Sequence, residues 1–193
     1  MRERNVFLAS ADKKNKKIIK KHLLKNGYSP IGEADNSSSA LRLIRTIKPH
    51  LVILDRELPG LNSFEVAAIL EEDQIAPVIL LLSSWNQQIL SSIDDTWIFS
   101  FLIKPITEQG LRQALETALT NFQRIRRKEK EIQDLRETLE TRKLVAQAKG
   151  YLMEELKLSE EEAYRRLQKH SMDQGISLRS VARRVIKYRR QQQ

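Results

Sequence analysis

The sequence predicts a doubly wound α/β domain with a five-stranded parallel sheet, followed by a long helix and a small all-α unit of three helices. Three observations predict it. Five short apolar runs alternate with helical patterns over the first part of the chain, no proline interrupts the stretch from Thr107 to Leu156, and the last segment carries three helix signals with an excess of positive charge.

Strands that are apolar throughout belong to parallel sheets covered on both faces. Val6-Phe7-Leu8-Ala9 is the first such run, and a lysine-studded helix follows from about Lys13 to Lys25, with Ile18, Ile19, His22 and Leu23 inward. Gly27 stands where a left-handed helix cap is usual. Pro30 to Ala34 is a weaker second strand, and Asn36 or Ser37 caps a helix whose Leu41, Ile44 and Ile47 form one stripe. Leu51-Val52-Ile53-Leu54 is the third strand and residues 63–71 the third helix. Pro77 to Leu82 and Trp97 to Ile103 are strands four and five, and a helix starts near Thr107. In such sheets the working site lies at the carboxyl ends of the strands. Those ends supply Ser10, Asp12, Asp55, Ser83 and Lys104.

Along the proline-free stretch, Ile125, Ile132 and Leu139 recur every seven residues, with Leu135 between the last two. That spacing predicts a coiled-coil homodimer through residues 115–145, although Lys128 and Arg142 hold the companion positions. The last unit begins with a helix from about Glu137 to Leu156, with Leu144, Ala148, Tyr151 and Leu152 on one side. Ser159 and Glu162 form a capping box for its second helix, which ends at Gly175. The expected divisions are 1–122, a linker helix 123–136, and 137–190.

Composition narrows the function. The chain has 193 residues and no cysteine, which excludes disulfides, thiolate metal sites and cysteine nucleophiles. No apolar run reaches the roughly 20 residues that cross a bilayer, so no membrane partner and a cytoplasmic location are expected. Residues 1–123 hold 15 Lys/Arg against 14 Asp/Glu, whereas residues 124–193 hold 19 against 11. A near-neutral half joined to a basic half reads as a control domain attached to a polyanion binder. No nucleophile–base pair or phosphate-cradling glycine loop is present, so an enzyme is not expected.

Pro49 to Asp55, Leu58-Pro59-Gly60, Leu82-Ser83-Ser84 and Phe101 to Pro105, in that order and spacing, resemble a response-regulator receiver domain over residues 4 to 122. The resemblance implies a flavodoxin-like fold with Asp55 as phosphoacceptor and Ser83 and Lys104 as phosphate-sensing residues. It also implies a histidine kinase or other signalling protein as partner. Receivers hold Mg²⁺ with an acidic pair just after the first strand, and here that pair reads Ser10-Ala11. Asp12, with Asp55, is the remaining metal candidate, and a hard cation loses much of its binding when carboxylates go. The favoured expectation is a degenerate receiver that requires no cofactor and acts as a dimerisation or docking platform independent of phosphate, with Mg²⁺-assisted phosphorylation at Asp55 as the alternative that Asp55, Ser83 and Lys104 keep open.

Arg142, Gln147-Ala148-Lys149-Gly150, Leu152-Met153, Ser159 to Tyr164, Leu167, Ser171-Met172, Leu178 and Val181-Ala182 resemble an ANTAR domain, named for the AmiR and NasR transcription antitermination regulators. The resemblance covers about residues 136 to 188. It implies binding to stem-loops of nascent leader RNA, preventing a terminator hairpin. Arg142, Gln147, Lys149, Gly150, Arg179 and Arg183 are the expected RNA contacts. A glycine inside a helix costs about 1 kcal/mol relative to alanine, so Gly150 marks either tight helix packing or close approach of a ligand to the backbone. Two other readings remain open: a DNA-binding regulator, since Ser159 to Arg190 holds two helices about a Gly-containing turn, and an adaptor docking an acidic protein.

Overall fold

A computed structural model describes residues 4–84 and 97–191. The connection between the fourth and fifth strands, which the alternating pattern also covers, falls in residues 85–96 and lies outside the described residues. The chain divides into two compact units, Met1–Arg126 and Arg127–Gln193.

In the first unit, β1 (Asn5–Ala9), β2 (Ser29–Ala34), β3 (Leu51–Asp55), β4 (Val78–Leu82) and β5 (Ile98–Ile103) form one parallel sheet in the order β2-β1-β3-β4-β5. β3 and β4 are buried at every residue, as their unbroken apolar runs require. Successive side chains serve opposite faces. Phe7, Val52, Leu54 and Leu80 pack against α2 (Ser37–Ile47) and α3 (Ser63–Glu72), whereas Val6, Leu8, Ile53, Ile79 and Leu81 pack against α1 (Lys13–Lys25) and the start of α4 (Glu108–Leu156). Gly32 is needed on β2, because a Cβ there would stand 2.8 Å from the Phe7 ring and 2.9 Å from Ile47.

α4 is one continuous helix of 49 residues. Its first turns bury Leu111, Ala114, Leu115 and Ala118 under the sheet. Phe122 ends that contact in an edge-to-face trio with Trp97 and Phe99, at centroid distances of 5.2–5.7 Å. Beyond it, Ile125, Ile132, Leu135 and Leu139 are exposed.

In the second unit, the end of α4 packs with α5 (Glu160–Gln174) and α6 (Leu178–Arg190). Val145, Ala148, Leu167, Val181, Ala182 and Ile186 form the core, with Leu144, Tyr151, Leu152 and Val185 at its margin. The expected caps are present. Ser159 and Glu162 bond reciprocally and Gly175 adopts φ 61°, while Ser177 caps α6 by accepting from the Ser180 amide. Among the described residues no helix is long and apolar enough to cross a membrane.

Candidate functional site

The parallel register brings the carboxyl ends of β1, β3, β4 and β5 to one edge of the sheet. Asp55, the last residue of β3, pairs across to Leu81, which pairs to Leu102. Ser83 and Lys104 follow just after the neighbouring strands, and the Lys104 amide donates to the Leu82 carbonyl at 2.8 Å. Asp55, Ser10, Ser83 and Lys104 are therefore gathered, as their sequence positions implied.

Asp55 is buried, and both of its carboxylate oxygens accept hydrogen bonds. Ser10 Oγ donates to Oδ2 at 2.7 Å. Lys104 Nζ donates to Oδ1 at 3.0 Å, joined by the Glu57 amide at 3.2 Å. Ser10 thus fills one position of the missing acidic pair with a neutral donor aimed at the acceptor carboxylate. Ala11 is exposed and offers no ligand atom.

Asp12 is committed elsewhere. It is the N-cap of α1, its Oδ1 accepting from the Lys14 and Asn15 amides and its Oδ2 from the Asn15 side chain. The Asn15 amide bond leads in holding its carboxyl below the ordinary range.

These donors do not fit Mg²⁺. The cation wants several oxygens in near-octahedral array, whereas Asp55 is engaged by a hydroxyl, an ammonium and an amide, and Asp12 by a helix end. Among the described residues no group of three or more His, Cys, Asp or Glu could hold a metal.

Sequence reasoning missed Glu57. This residue sits in the loop after β3, and its carboxylate accepts from Ser83 Oγ at 2.5 Å and faces Lys104 Nζ at 3.5 Å. The Ser83 hydroxyl first, and then the Lys104 charge, hold its carboxyl below the ordinary range. Its signal in the sequence was only its place two residues after Asp55.

The basic unit places the other predicted residues. Arg142 and Lys149 are seven residues apart on α4, hence on one side of the helix. Arg142 lines a shallow hollow of about 590 Å³ together with Ser177 and Arg179. Arg179 and Arg183, one turn apart on α6, both donate to Glu140 of α4. Lys149 pairs with Glu160 and lies 5.9 Å from the Tyr164 ring centroid. Gln147 donates to the Tyr151 hydroxyl at 2.7 Å, while Arg189 stacks 4.2 Å above the Tyr151 ring and bonds Glu154. Tyr151 is therefore half-buried and held on its polar side, which fits its expected packing role. The acidic partners Glu140, Glu154 and Glu160 were not foreseen as such, because each pairs with a residue at least eleven positions away.

Gly150 resolves one of its two readings. A Cβ built there would meet nothing within 4 Å. Tight packing inside this chain therefore does not account for the glycine, and its backbone lies open on α4.

The family profile of the response regulator receiver domain matches residues 6–116, and that of the ANTAR domain matches residues 133–186. The transcriptional regulatory protein PdtaR of Mycobacterium tuberculosis is 31% identical over 183 residues, covering 95% of this chain and 89% of that protein. The DNA-binding transcriptional activator EvgA of Escherichia coli is 32% identical over 105 residues, 54% of this chain and about half (52%) of that protein. Among solved structures, the signal receiver domain of the response regulator NarL from Mycobacterium tuberculosis superposes with a TM-score of 0.58 at 22% identity, covering 61% of this chain and 97% of that one.

Proposed function

The chain belongs to the response-regulator family, with a receiver domain joined to an ANTAR domain, and from that footing we propose that it is an antitermination regulator whose ANTAR unit binds stem-loops of nascent leader RNA. Both domains belong to regulatory rather than enzymatic families. The open backbone at Gly150 carries the RNA reading. It lies beside Lys149 in a unit rich in basic residues, where a phosphate or an unstacked base can approach a helix without meeting a side chain. Arg142, Gln147, Arg179 and Arg183 extend the surface.

The receiver takes its input through contact with a histidine kinase or another signalling protein, without needing phosphate on Asp55. Both Asp55 oxygens are hydrogen-bonded, which lowers the nucleophilicity of the carboxylate, and the donor set does not fit the cation that phosphoryl transfer would use. The homodimer uses the exposed part of the 115–145 stretch. Leu115 and Ala118 are already spent in the receiver core, so the stripe begins at Ile125.

Gel shifts with the full chain test the RNA reading, using a two-hairpin leader RNA and duplex DNA from the same locus. Binding to the RNA with little affinity for the duplex is expected. Duplex-only binding overturns the proposal in favour of the DNA reading, and no binding to either at physiological salt favours the protein adaptor. Incubation with acetyl phosphate and Mg²⁺ followed by intact mass measurement is expected to show no gain in mass. A gain absent from Asp55→Ala would instead establish phosphorylation there.

A further inference from the structure

A cavity opens at the end of the sheet opposite Asp55. Arg4 precedes β1, Tyr28 precedes β2 and Leu51 opens β3, so all three stand at the amino-terminal edge. The five residues of β3, about 17 Å of strand, separate that edge from the Asp55 carboxylate. The cavity holds about 570 Å³ and is lined by these residues, by Val6, and by a stripe of α4 that includes Glu116 and Leu119. Sites for small organic molecules span roughly 300–1,000 Å³, so this volume is of the right order.

Its chemistry is divided. Val6, Leu51, Leu119 and the Tyr28 ring supply apolar surface that is continuous with the receiver core. The Arg4 guanidinium lies over the Tyr28 ring, 5.0 Å from its centroid. A guanidinium held on an aromatic face keeps a rigid fork of donors, which matches the two oxygens of a carboxylate. Glu116 bounds the same cavity with the opposite charge. Both groups act on the Tyr28 phenol, whose pKa is raised mainly by burial, with Arg4 opposing the rise and Glu116 adding to it. Among the described residues the ion pair of Glu116 is to Arg112, a loose contact of 3.9 Å between exposed side chains, and not to Arg4. A cation and an anion that line one apolar cavity without neutralising each other suit a molecule carrying both charges on a short apolar body.

We propose that this cavity binds a free α-amino acid with an apolar side chain. Arg4 takes its carboxylate, Glu116 takes its ammonium, and its side chain rests on Val6, Leu51 and Leu119. A simple anion would be repelled by Glu116 and a simple cation by Arg4, so each loses part of the attraction that the zwitterion keeps. The inference rests neither on RNA binding nor on the state of Asp55.

Calorimetric titration of the full-length protein with L-leucine and with L-phenylalanine tests it. Saturable binding of at least one, at millimolar concentration or below, is expected. The deaminated and decarboxylated analogues of the amino acid that binds (4-methylpentanoate and 3-methylbutylamine for leucine, 3-phenylpropanoate and 2-phenylethylamine for phenylalanine) should bind about tenfold more weakly or worse. Arg4→Gln is expected to weaken the amino acid about tenfold while leaving the amine no weaker, and Glu116→Gln to weaken it similarly while leaving the acid no weaker. Both side chains are exposed, so the variants retain the fold by circular dichroism. Should Arg4→Gln disturb the packing on Tyr28, Arg4→Lys keeps the charge, removes the fork and moves in the same direction. Failure of both amino acids to bind overturns the proposal. So do analogues that bind as tightly as their parent, or variants that weaken all three ligands equally or none of them.

Discussion

Gly150 and Ser10 each make a residue-scale claim that one substitution can test. Gly150→Ala places a methyl group in open space on a helix, so it should stabilise the second unit by about 0.5–1 kcal/mol and raise its melting temperature. On the RNA reading it should also weaken leader binding, by about tenfold or more. A destabilised Gly150→Ala would show that packing required the glycine after all. Ser10→Ala removes the hydroxyl that satisfies a buried carboxylate oxygen, and should cost about 1–3 kcal/mol in urea unfolding. Asp55, Ser10 and Lys104 were legible in the sequence because each follows directly on an apolar strand. Glu57 was not legible, because its role depends on a loop conformation that brings it to Ser83, which is 26 residues distant.

Among the elements, α4 is where an interior-type pattern continues after its interior has ended. Ile132, Leu135 and Leu139 are at least half exposed, whereas Leu111 and Leu115 on the same helix are fully buried. Spacing of this kind on a solvated helix calls for a second helix. If the proposed dimer forms there, Leu135→Lys or Ile132→Lys should shift it to monomer in sedimentation velocity without loss of helical signal. A wild type that is monomeric at high concentration removes the basis of the proposal. The strands were readable because burial on both faces leaves an unbroken apolar run, and the helix ends because Asn36, Ser159, Gly175 and Ser177 are cap residues with a defined stereochemistry. The destinations of the arginine side chains were not readable. Arg179 and Arg183 are outward-facing by periodicity, yet they lean on Glu140, some 40 residues earlier, through tertiary packing that local patterns do not encode.

For the molecule as a whole, the charges of the second unit predict its responses to pH and salt. Arg179 and then Arg183 lower the carboxyl pKa of Glu140, Lys149 lowers that of Glu160, and the Ser159 backbone lowers that of Glu162, each below the ordinary value of 4.5. Groups depressed in the folded state stabilise it above their unfolded pKa and lose that contribution as the pH falls through their folded values. Thermal stability should therefore be insensitive to these groups from neutrality down to about pH 5, then decline below about 4.5. A unit that gains stability on acidification in that range would contradict the pairing. On the RNA reading, affinity should fall with added salt, as phosphate neutralisation by Lys and Arg requires. Glu140 adds a consequence of a different kind, because it is a counterion on a tether and cannot diffuse away from Arg179 and Arg183. A polyanion that engages those arginines must trade places with a carboxylate, and gains only the difference between the two partners. A poorly matched strand gains nothing by the trade. On the RNA reading, Glu140→Gln should thus tighten binding to matched and mismatched RNA alike, and let a poorly matched strand settle on arginines from which the tethered carboxylate now turns it away.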